Sequence, residues 1–104
     1  MNSSEMIEKL IELSYRKYKR LSKGCVECGR LDRKEETVID GITFTCWNEY
    51  VCYRVCEYIK SKVPEIAVRL NLDGNNSSIE VEMDDCEERE LNAKMYQLIK
   101  EWKE

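Results

Sequence analysis

The chain of 104 residues has 42% hydrophobic residues, 37% charged residues and a formal net charge of −4, which is typical of one globular domain with a strongly solvated surface. This balance excludes a disordered chain, and the lack of any apolar run near the ~18 residues of a membrane span excludes a transmembrane helix. The N-terminal sequence MNSSEMIEKLIEL carries glutamates among its apolar residues, so we expect no signal peptide and an intracellular, cytoplasmic protein.

The first predicted element is a helix over residues 3–22. Asn2 and Glu5 fit a capping box at its start, and Gly24 is placed to stop it. Residues at three- and four-residue spacing form a face wide enough to bury. The members of this face are Met6, Ile7, Leu10, Ile11, Ser14, Tyr18 and Leu21.

A hairpin is predicted next, in the sequence TVIDGITFTC that ends at Cys46. Asp40-Gly41 favours a two-residue turn whose central positions have positive φ. The predicted pairs are Ile39 with Ile42 and Thr37 with Phe44. Cys46 then lies on the same face as Ile42 and Phe44, which we expect to point inward.

A second helix is predicted over residues 48–63. Asn48 is a suitable N-cap, and Pro64 ends the helix because the residue before a proline avoids the α region. One stripe of this helix is apolar or thiol-bearing. It consists of Cys52, Val55, Cys56, Ile59 and Val63.

A second hairpin is predicted over residues 65–83, since apolar and polar residues alternate on both sides of the turn-rich sequence DGNNSS. The apolar positions are Ile66, Val68, Leu70 and Leu72 in the first strand and Ile79, Val81 and Met83 in the second.

A last helix is predicted over residues 84–103, with acidic residues near its positive end and lysines near its negative end. Its buried stripe is Leu91, Met95, Leu98, Ile99 and Trp102. We therefore predict a single α+β domain over residues 1–104, in the order α-β-β-α-β-β-α, with three helices packed on a small antiparallel sheet.

The six cysteines are the strongest chemical signal. The segment Cys25-Val-Glu-Cys28-Gly29 has the form of a zinc knuckle, and a hairpin and a cysteine-bearing helix follow it. Over residues 25–56 this order resembles the treble-clef zinc fingers, a group that includes the GATA-type fingers. Those fingers carry a second CxxC at the helix start, whereas here Cys46 is followed at that spacing by Glu49.

A different zinc site follows from the spacing within the second helix. Residues four apart on a helix lie one above the other, about 5–6 Å between Cβ atoms, so two of its sulfurs could meet one ion. The predicted metal ligands are Cys25, Cys28, Cys52 and Cys56, with Cys46 and Glu49 as alternatives. Since the chain has no histidine, any zinc site must use thiolates or carboxylates.

Disulfides and unpaired core thiols are the competing interpretations. Six cysteines allow fifteen disulfide connectivities if all are paired. Cys52 and Cys56 are poor partners for each other, because their Cβ vectors run parallel. Unpaired cysteine also behaves as a small buried hydrophobe. The sequence leaves these three states open.

Catalysis is not expected. The absence of histidine removes the Ser-His and Cys-His nucleophile pairs and the usual base near neutral pH. A thioredoxin-like role would need CxxC at a helix start after a strand, whereas this CxxC follows a basic helix. We therefore predict that the chain is not an enzyme, and we keep a thiol redox protein as a second alternative.

Charge is divided unevenly along the chain. Residues 15–34 hold eight Lys or Arg against two acids, a local charge of +6, whereas residues 35–104 hold eight against sixteen acids, a charge of −8. The basic block could contact nucleic acid, with Tyr15 and Tyr18 either stacking on bases or packing inward. Its cations are Arg16, Lys17, Lys19, Arg20, Lys23, Arg30, Arg33 and Lys34.

These features predict a small non-enzymatic binding module stabilised by a cysteine cluster and contacting nucleic acid through the basic block. The alternative is a protein-binding regulator, such as a viral or mobile-element accessory protein, whose acidic half or exposed sheet edge meets a basic partner. We expect no membrane partner, and the sequence leaves homo-oligomerisation open.

Overall fold

The computed structural model describes residues 2–22, 37–39, 41–82 and 89–103. Within these residues, three helices and four strands occur in the order α-β-β-α-β-β-α, and each strand pair is antiparallel. The predicted α+β class is confirmed. The four strands form two separate two-stranded sheets.

The first helix, α1, spans Ser3–Leu21. Its predicted cap is present, because the side-chain oxygen of Asn2 accepts a hydrogen bond from the backbone N–H of Glu5 over 2.8 Å. Leu10, in the middle of the predicted face, is fully buried. The prediction for Leu21 is wrong, since this residue is 67% exposed. Periodicity puts it on the buried face, but α1 ends there and no element that the structure describes covers its side chain.

The first hairpin consists of β1, Thr37–Ile39, and β2, Ile42–Phe44. Its register is the predicted one, with Thr37 opposite Phe44, Val38 opposite Thr43, and Ile39 opposite Ile42. Gly41 has a φ of +78°, as the predicted turn requires. Asp40, the other central residue of that turn, lies outside the described residues.

Phe44 attaches this hairpin to the second helix, α2, which spans Trp47–Lys62. The Phe44 side chain is fully buried, and its ring centroid lies 5.6 Å from that of Tyr50 and 5.3 Å from that of Tyr53. Cys46 is 6% exposed, in agreement with the predicted inward face. The short hairpin is therefore held by an aromatic cluster at the start of α2.

The start of α2 differs from the prediction. Cys46 occupies the N-cap position, and Asn48 lies in the first turn of the helix, where its side chain bonds residues of other elements. Its Oδ1 accepts a 2.7 Å hydrogen bond from the hydroxyl of Tyr15, and its amide nitrogen donates to the carbonyls of Gly74 and Asn75 over 3.3 and 2.9 Å. The N-cap prediction for Asn48 is wrong, because its side-chain amide is hydrogen-bonded to residues of α1 and of the β3–β4 loop and does not cap α2.

The interior of the molecule is built around α2. All five residues of its predicted stripe are buried, and so are Trp47, Val51 and Tyr53, which lie on other sides of the helix. The helix ends at Lys62. Val63, which is buried, follows directly, and Pro64 comes next. Helix α1 and both hairpins contact α2, which explains why so much of its circumference is covered.

The second hairpin consists of β3, Ala67–Asn71, and β4, Ser78–Glu82. In its register Ala67 is opposite Glu82, Val68 opposite Val81, Arg69 opposite Glu80, Leu70 opposite Ile79, and Asn71 opposite Ser78. The predicted alternation holds within the strands, but Leu72 lies beyond the end of β3 and is 47% exposed. Its place in the buried face is therefore a wrong prediction, and Met83 lies outside the described residues.

The last helix, α3, is described over Arg89–Lys100, and the predicted start at residue 84 lies outside the described residues. Ser3, at the start of α1, donates a hydrogen bond to Asn92 near the start of α3. Lys17, late in α1, lies 5.6 Å from the ring centroid of Trp102, just after α3. The two helices therefore run parallel. The main core consists of buried residues from all three helices and from the segment between α2 and β3: Met6, Ile7, Leu10, Val55, Ile59, Val63, Ile66, Leu91 and Met95. Val68, Ile79 and Val81 of the second hairpin are partly buried and pack against it.

Candidate functional site

Two of the predicted zinc ligands lie inside the core. Cys52 is 3% exposed and Cys56 is 1% exposed, and both are free thiols, as is Cys46. The Cys52 thiol donates to the backbone carbonyl of Ser77 over 3.5 Å, so it helps to hold the loop that leads into β4. The other two predicted ligands, in the CxxC segment, lie outside the described residues.

The electrostatic surroundings of these thiols disfavour the thiolate form. Burial raises the pKa of the Cys52 thiol to about 11, and the neighbouring Cys46 and Cys56 add to this effect as negative charges when ionised. Burial also raises the pKa of Cys56, although Lys60 opposes that change. Both thiols are therefore protonated at neutral pH and are poor nucleophiles there.

Glu49, an alternative metal ligand, has a structural contact in the first turn of α2. Its carboxylate accepts a 2.6 Å hydrogen bond from the hydroxyl of Thr45 and a 3.5 Å bond from the Thr45 backbone N–H. This contact closes the helix start, where the Cys46 side chain makes no cap. Among the described residues, no three Cys, Asp or Glu side chains form a group that could hold one metal ion. The four-thiolate site that includes Cys25 and Cys28 stays a prediction.

The basic block is only partly described. Arg16 pairs with Glu12 on the surface of α1, and Lys17 lies over the Trp102 ring. Lys19 and Arg20 occupy the last turn of the same helix, where they complement the negative end of its dipole. The remaining predicted cations, Lys23, Arg30, Arg33 and Lys34, lie outside the described residues, so the convergence of the block stays a prediction.

Both tyrosines of the basic block pack inward. Tyr15 bonds Asn48 and is half-buried beside Trp47 and Val51. The ring centroid of Tyr18 lies 5.1 Å from the guanidinium carbon of Arg54 on α2. Of the two roles that the sequence allowed for these rings, the structure shows the packing role.

A different surface combines an open strand edge with an apolar groove. In the part of the chain that the structure describes, β3 and β4 pair only with each other, so each strand has one edge whose backbone N–H and C=O groups have no strand partner. A groove of about 250 Å³ lies between α1 and β4. It is lined by Ser4, Ile7, Glu8, Ile11, Ile79 and Val81. We call this surface the β4 groove.

The walls of the β4 groove follow from two sequence periods. Ile7 and Ile11 are four residues apart, so they lie on one side of α1, while Ile79 and Val81 are two apart, so they lie on the helix-facing side of β4. All four pack on the main core or belong to it. The sequence predicted each wall, but neither pattern shows that the two walls stand apart and leave a groove.

Acidic side chains lie both in the β4 groove and on the opposite face of β4, away from the groove. Glu8 lines it from α1, and Glu80 and Glu82 lie on the exposed side of β4. Arg69, opposite Glu80 on β3, pairs with that carboxylate and lowers its pKa, with a further contribution from Asn71. Glu82 has Ala67 directly opposite it and so lacks a cross-strand cation, although its charge also acts on Arg69.

The hairpin that carries the groove is fixed to α2 at its loop. Asn48 donates to the carbonyls of Gly74 and Asn75, and Cys52 donates to that of Ser77. Gly74, with a φ of +53°, allows the loop to turn back over the start of α2. These contacts hold the β3–β4 loop against the first half of α2.

None of the helices that the structure describes is long and apolar enough to cross a membrane. No protein-family model matches the chain, and no curated protein or solved structure shows significant similarity to it. The interpretation of function therefore depends on the geometry of this chain alone.

Proposed function

We propose that the chain is a non-enzymatic protein-binding module that accepts an extended segment of a partner protein along the edge of β4, in the β4 groove. This is the protein-binding alternative that the sequence raised through an exposed sheet edge. One observation carries the proposal: an open strand edge borders an apolar groove whose far wall is a helix.

The two parts of this surface have complementary roles. In strand addition, main-chain hydrogen bonds to the open edge supply affinity, and pockets for alternate side chains supply specificity. Here the edge of β4 would supply the backbone groups. The groove between Ile79 and Val81 on one side and Ile7 and Ile11 on the other would take the inward side chains.

The surface is also built on rigid elements, as a binding site requires. Beneath it, α1 and α2 contribute fully buried residues such as Leu10 and Val55. The loop before β4 is tied to α2 through Asn48 and Cys52. A partner would therefore meet a largely preformed groove and would lose little affinity to ordering it.

The nucleic-acid and redox hypotheses receive less support. Nucleic-acid contact rests on charge alone, because Tyr15 and Tyr18 are packed against α2 and so are not placed to stack on bases. A redox role needs a thiol of lowered pKa, whereas burial raises the pKa of Cys52 and Cys56. Both hypotheses depend on residues beyond the described ranges.

The test is selection of ten-residue peptides from a random library, followed by mapping of the bound site by NMR. We expect bound peptides to slow amide hydrogen exchange in residues 78–82 and to shift the methyl signals of Ile7 and Ile11. The Ile11→Lys variant should lose binding, because it places a charge in the groove. The matched control is Leu72→Lys, the same change at an exposed position outside the groove.

Circular dichroism of both variants checks that they remain folded. If Ile11→Lys unfolds, the exchange map of the unmodified protein still decides the question. Peptides that bind while perturbing only the end of α1, or a selection that yields no binder, would contradict the proposal.

A further inference from the structure

We infer that the segment bound in the β4 groove has apolar residues at alternate positions and lysine or arginine between them. This inference rests on the proposed function and specifies the chemistry of its partner: an extended, basic and apolar stretch of a second protein.

The alternation follows from the geometry of strand addition. Successive side chains of an added strand point to opposite faces of the sheet. One set would face the helices and enter the space bounded by Ile7, Ile11, Ile79 and Val81. Apolar side chains gain free energy against these four residues, at roughly 25 cal/mol for each Å² of apolar surface removed from water.

The basic character follows from the carboxylates that an added strand would meet. Side chains directly opposite each other on paired strands have Cβ atoms about 4.5–5.5 Å apart, and opposite charges in such pairs are favourable. The outward set of the partner would lie beside Glu80 and Glu82. Arg69 pairs with Glu80 and has only a weaker electrostatic interaction with Glu82, so Glu82 is the carboxylate on this face that most favours a cation.

The same charges disfavour a second copy of this chain as the occupant. If two β4 strands paired antiparallel about a two-fold axis, their glutamates would stand opposite or diagonal to one another. Like charges in those positions destabilise the pairing. A partner with lysine or arginine at the same positions replaces this repulsion with attraction. The β4 groove therefore fits a segment of a different protein better than it fits a second copy of this chain.

Three synthetic peptides of equal length test the inference by fluorescence anisotropy. The first alternates valine and lysine, the second alternates valine and glutamate, and the third has the composition of the first with the valines and lysines in separate blocks. We expect the first peptide to bind at least about tenfold more tightly than either of the others, and its affinity to fall as salt rises.

Charge reversal on the protein gives a second readout. Glu82→Lys should weaken binding of the valine–lysine peptide by about three- to tenfold. Glu101→Lys changes the net charge equally at an exposed residue that follows α3, so it should leave the affinity unchanged. An equal loss in both variants would mean that only the overall charge matters, and would overturn the inference.

The failure of this inference differs from the failure of the proposed function. If the valine–glutamate peptide binds as tightly as the valine–lysine peptide and slows amide hydrogen exchange in residues 78–82, strand addition is supported and the prediction of a basic partner is wrong. If the block peptide binds equally well, insertion of alternate side chains is wrong. If none of the three peptides binds and the random library also yields none, both proposals fail together.

Discussion

The hydroxyl of Tyr15 donates a 2.7 Å hydrogen bond to Oδ1 of Asn48, and this bond joins the second half of α1 to the first turn of α2. The amide nitrogen of Asn48 then donates to the carbonyls of Gly74 and Asn75 in the β3–β4 loop. Burial raises the pKa of Tyr15, and so does the Cys52 thiolate when it forms, so the hydroxyl remains a donor at neutral pH. One buried asparagine thus links three elements.

Substitutions that break this link should destabilise the protein according to the number of hydrogen bonds they delete. Tyr15→Phe deletes one hydrogen bond and should lower the free energy of unfolding by about 1 kcal/mol, while Asn48→Ala deletes three and should lower it by about 2–3 kcal/mol. Urea denaturation measures both values. Tyr96→Phe, at a tyrosine that is 59% exposed, is the control and should change stability by less than about 0.5 kcal/mol. Equal effects in Tyr15→Phe and Tyr96→Phe would show that the link does not hold the elements together.

Phe44 should be the anchor of the first hairpin. Phe44→Ala removes a fully buried ring from contact with Tyr50 and Tyr53, and should lower the free energy of unfolding by about 3–5 kcal/mol. Thermal unfolding followed by circular dichroism measures the loss. Leu72→Ala removes an exposed apolar side chain instead and should cost much less. A loss below about 1 kcal/mol in Phe44→Ala would mean that the hairpin contributes little to the fold.

Cys52 should make the stability of the protein fall at high pH. Its folded pKa is about 11, whereas an unfolded cysteine has a pKa of about 8.5. Between these values the unfolded chain loses the thiol proton while the folded protein keeps it, so stability is full below about pH 8.5 and declines as the pH rises toward 11. Urea midpoints across this range should fall more steeply for the unmodified protein than for Cys52→Ala. Parallel curves would contradict the raised pKa.

The zinc hypothesis has a separate and direct test. If Cys25, Cys28, Cys52 and Cys56 bind zinc, native mass spectrometry should show one bound ion, and a chelator should lower the melting temperature. Cys25→Ala should then lose the ion, while Cys46→Ala should keep it. Denaturing mass measurement before and after reduction separates disulfides from thiols in the same sample. A zinc-free native mass together with a melting temperature that is insensitive to the chelator would remove the hypothesis.

Much of the fold could be predicted because local patterns are strong in this chain. The cap at Asn2, the register of the first hairpin and the buried stripe of α2 all depend on residues that are near one another in sequence. The errors fall where the patterns meet element ends. Leu21 and Leu72 keep the correct period but lie at element ends, where none of the described elements covers them.

Asn48 shows a second reason why sequence reasoning failed. Its side chain suits an N-cap. Local propensity cannot reveal that Tyr15 and the β3–β4 loop form hydrogen bonds with the same side-chain amide. Sequence patterns do not reveal the β4 groove for a related reason. Its walls come from residues about 70 positions apart in the chain, and the gap between them exists only after both have packed on α2.

The order of helices and strands, most of the buried faces and the absence of imidazole chemistry can be deduced from the sequence, because each depends on residue type and short-range spacing. Tertiary structure decided that Cys52 and Cys56 lie in the core with raised pKa values, that Tyr15 and Tyr18 pack inward, and that β4 keeps an open edge beside α1. Those features depend on how distant segments pack together. Burial and the packing of distant elements are properties of the whole fold, and local spacing does not encode them.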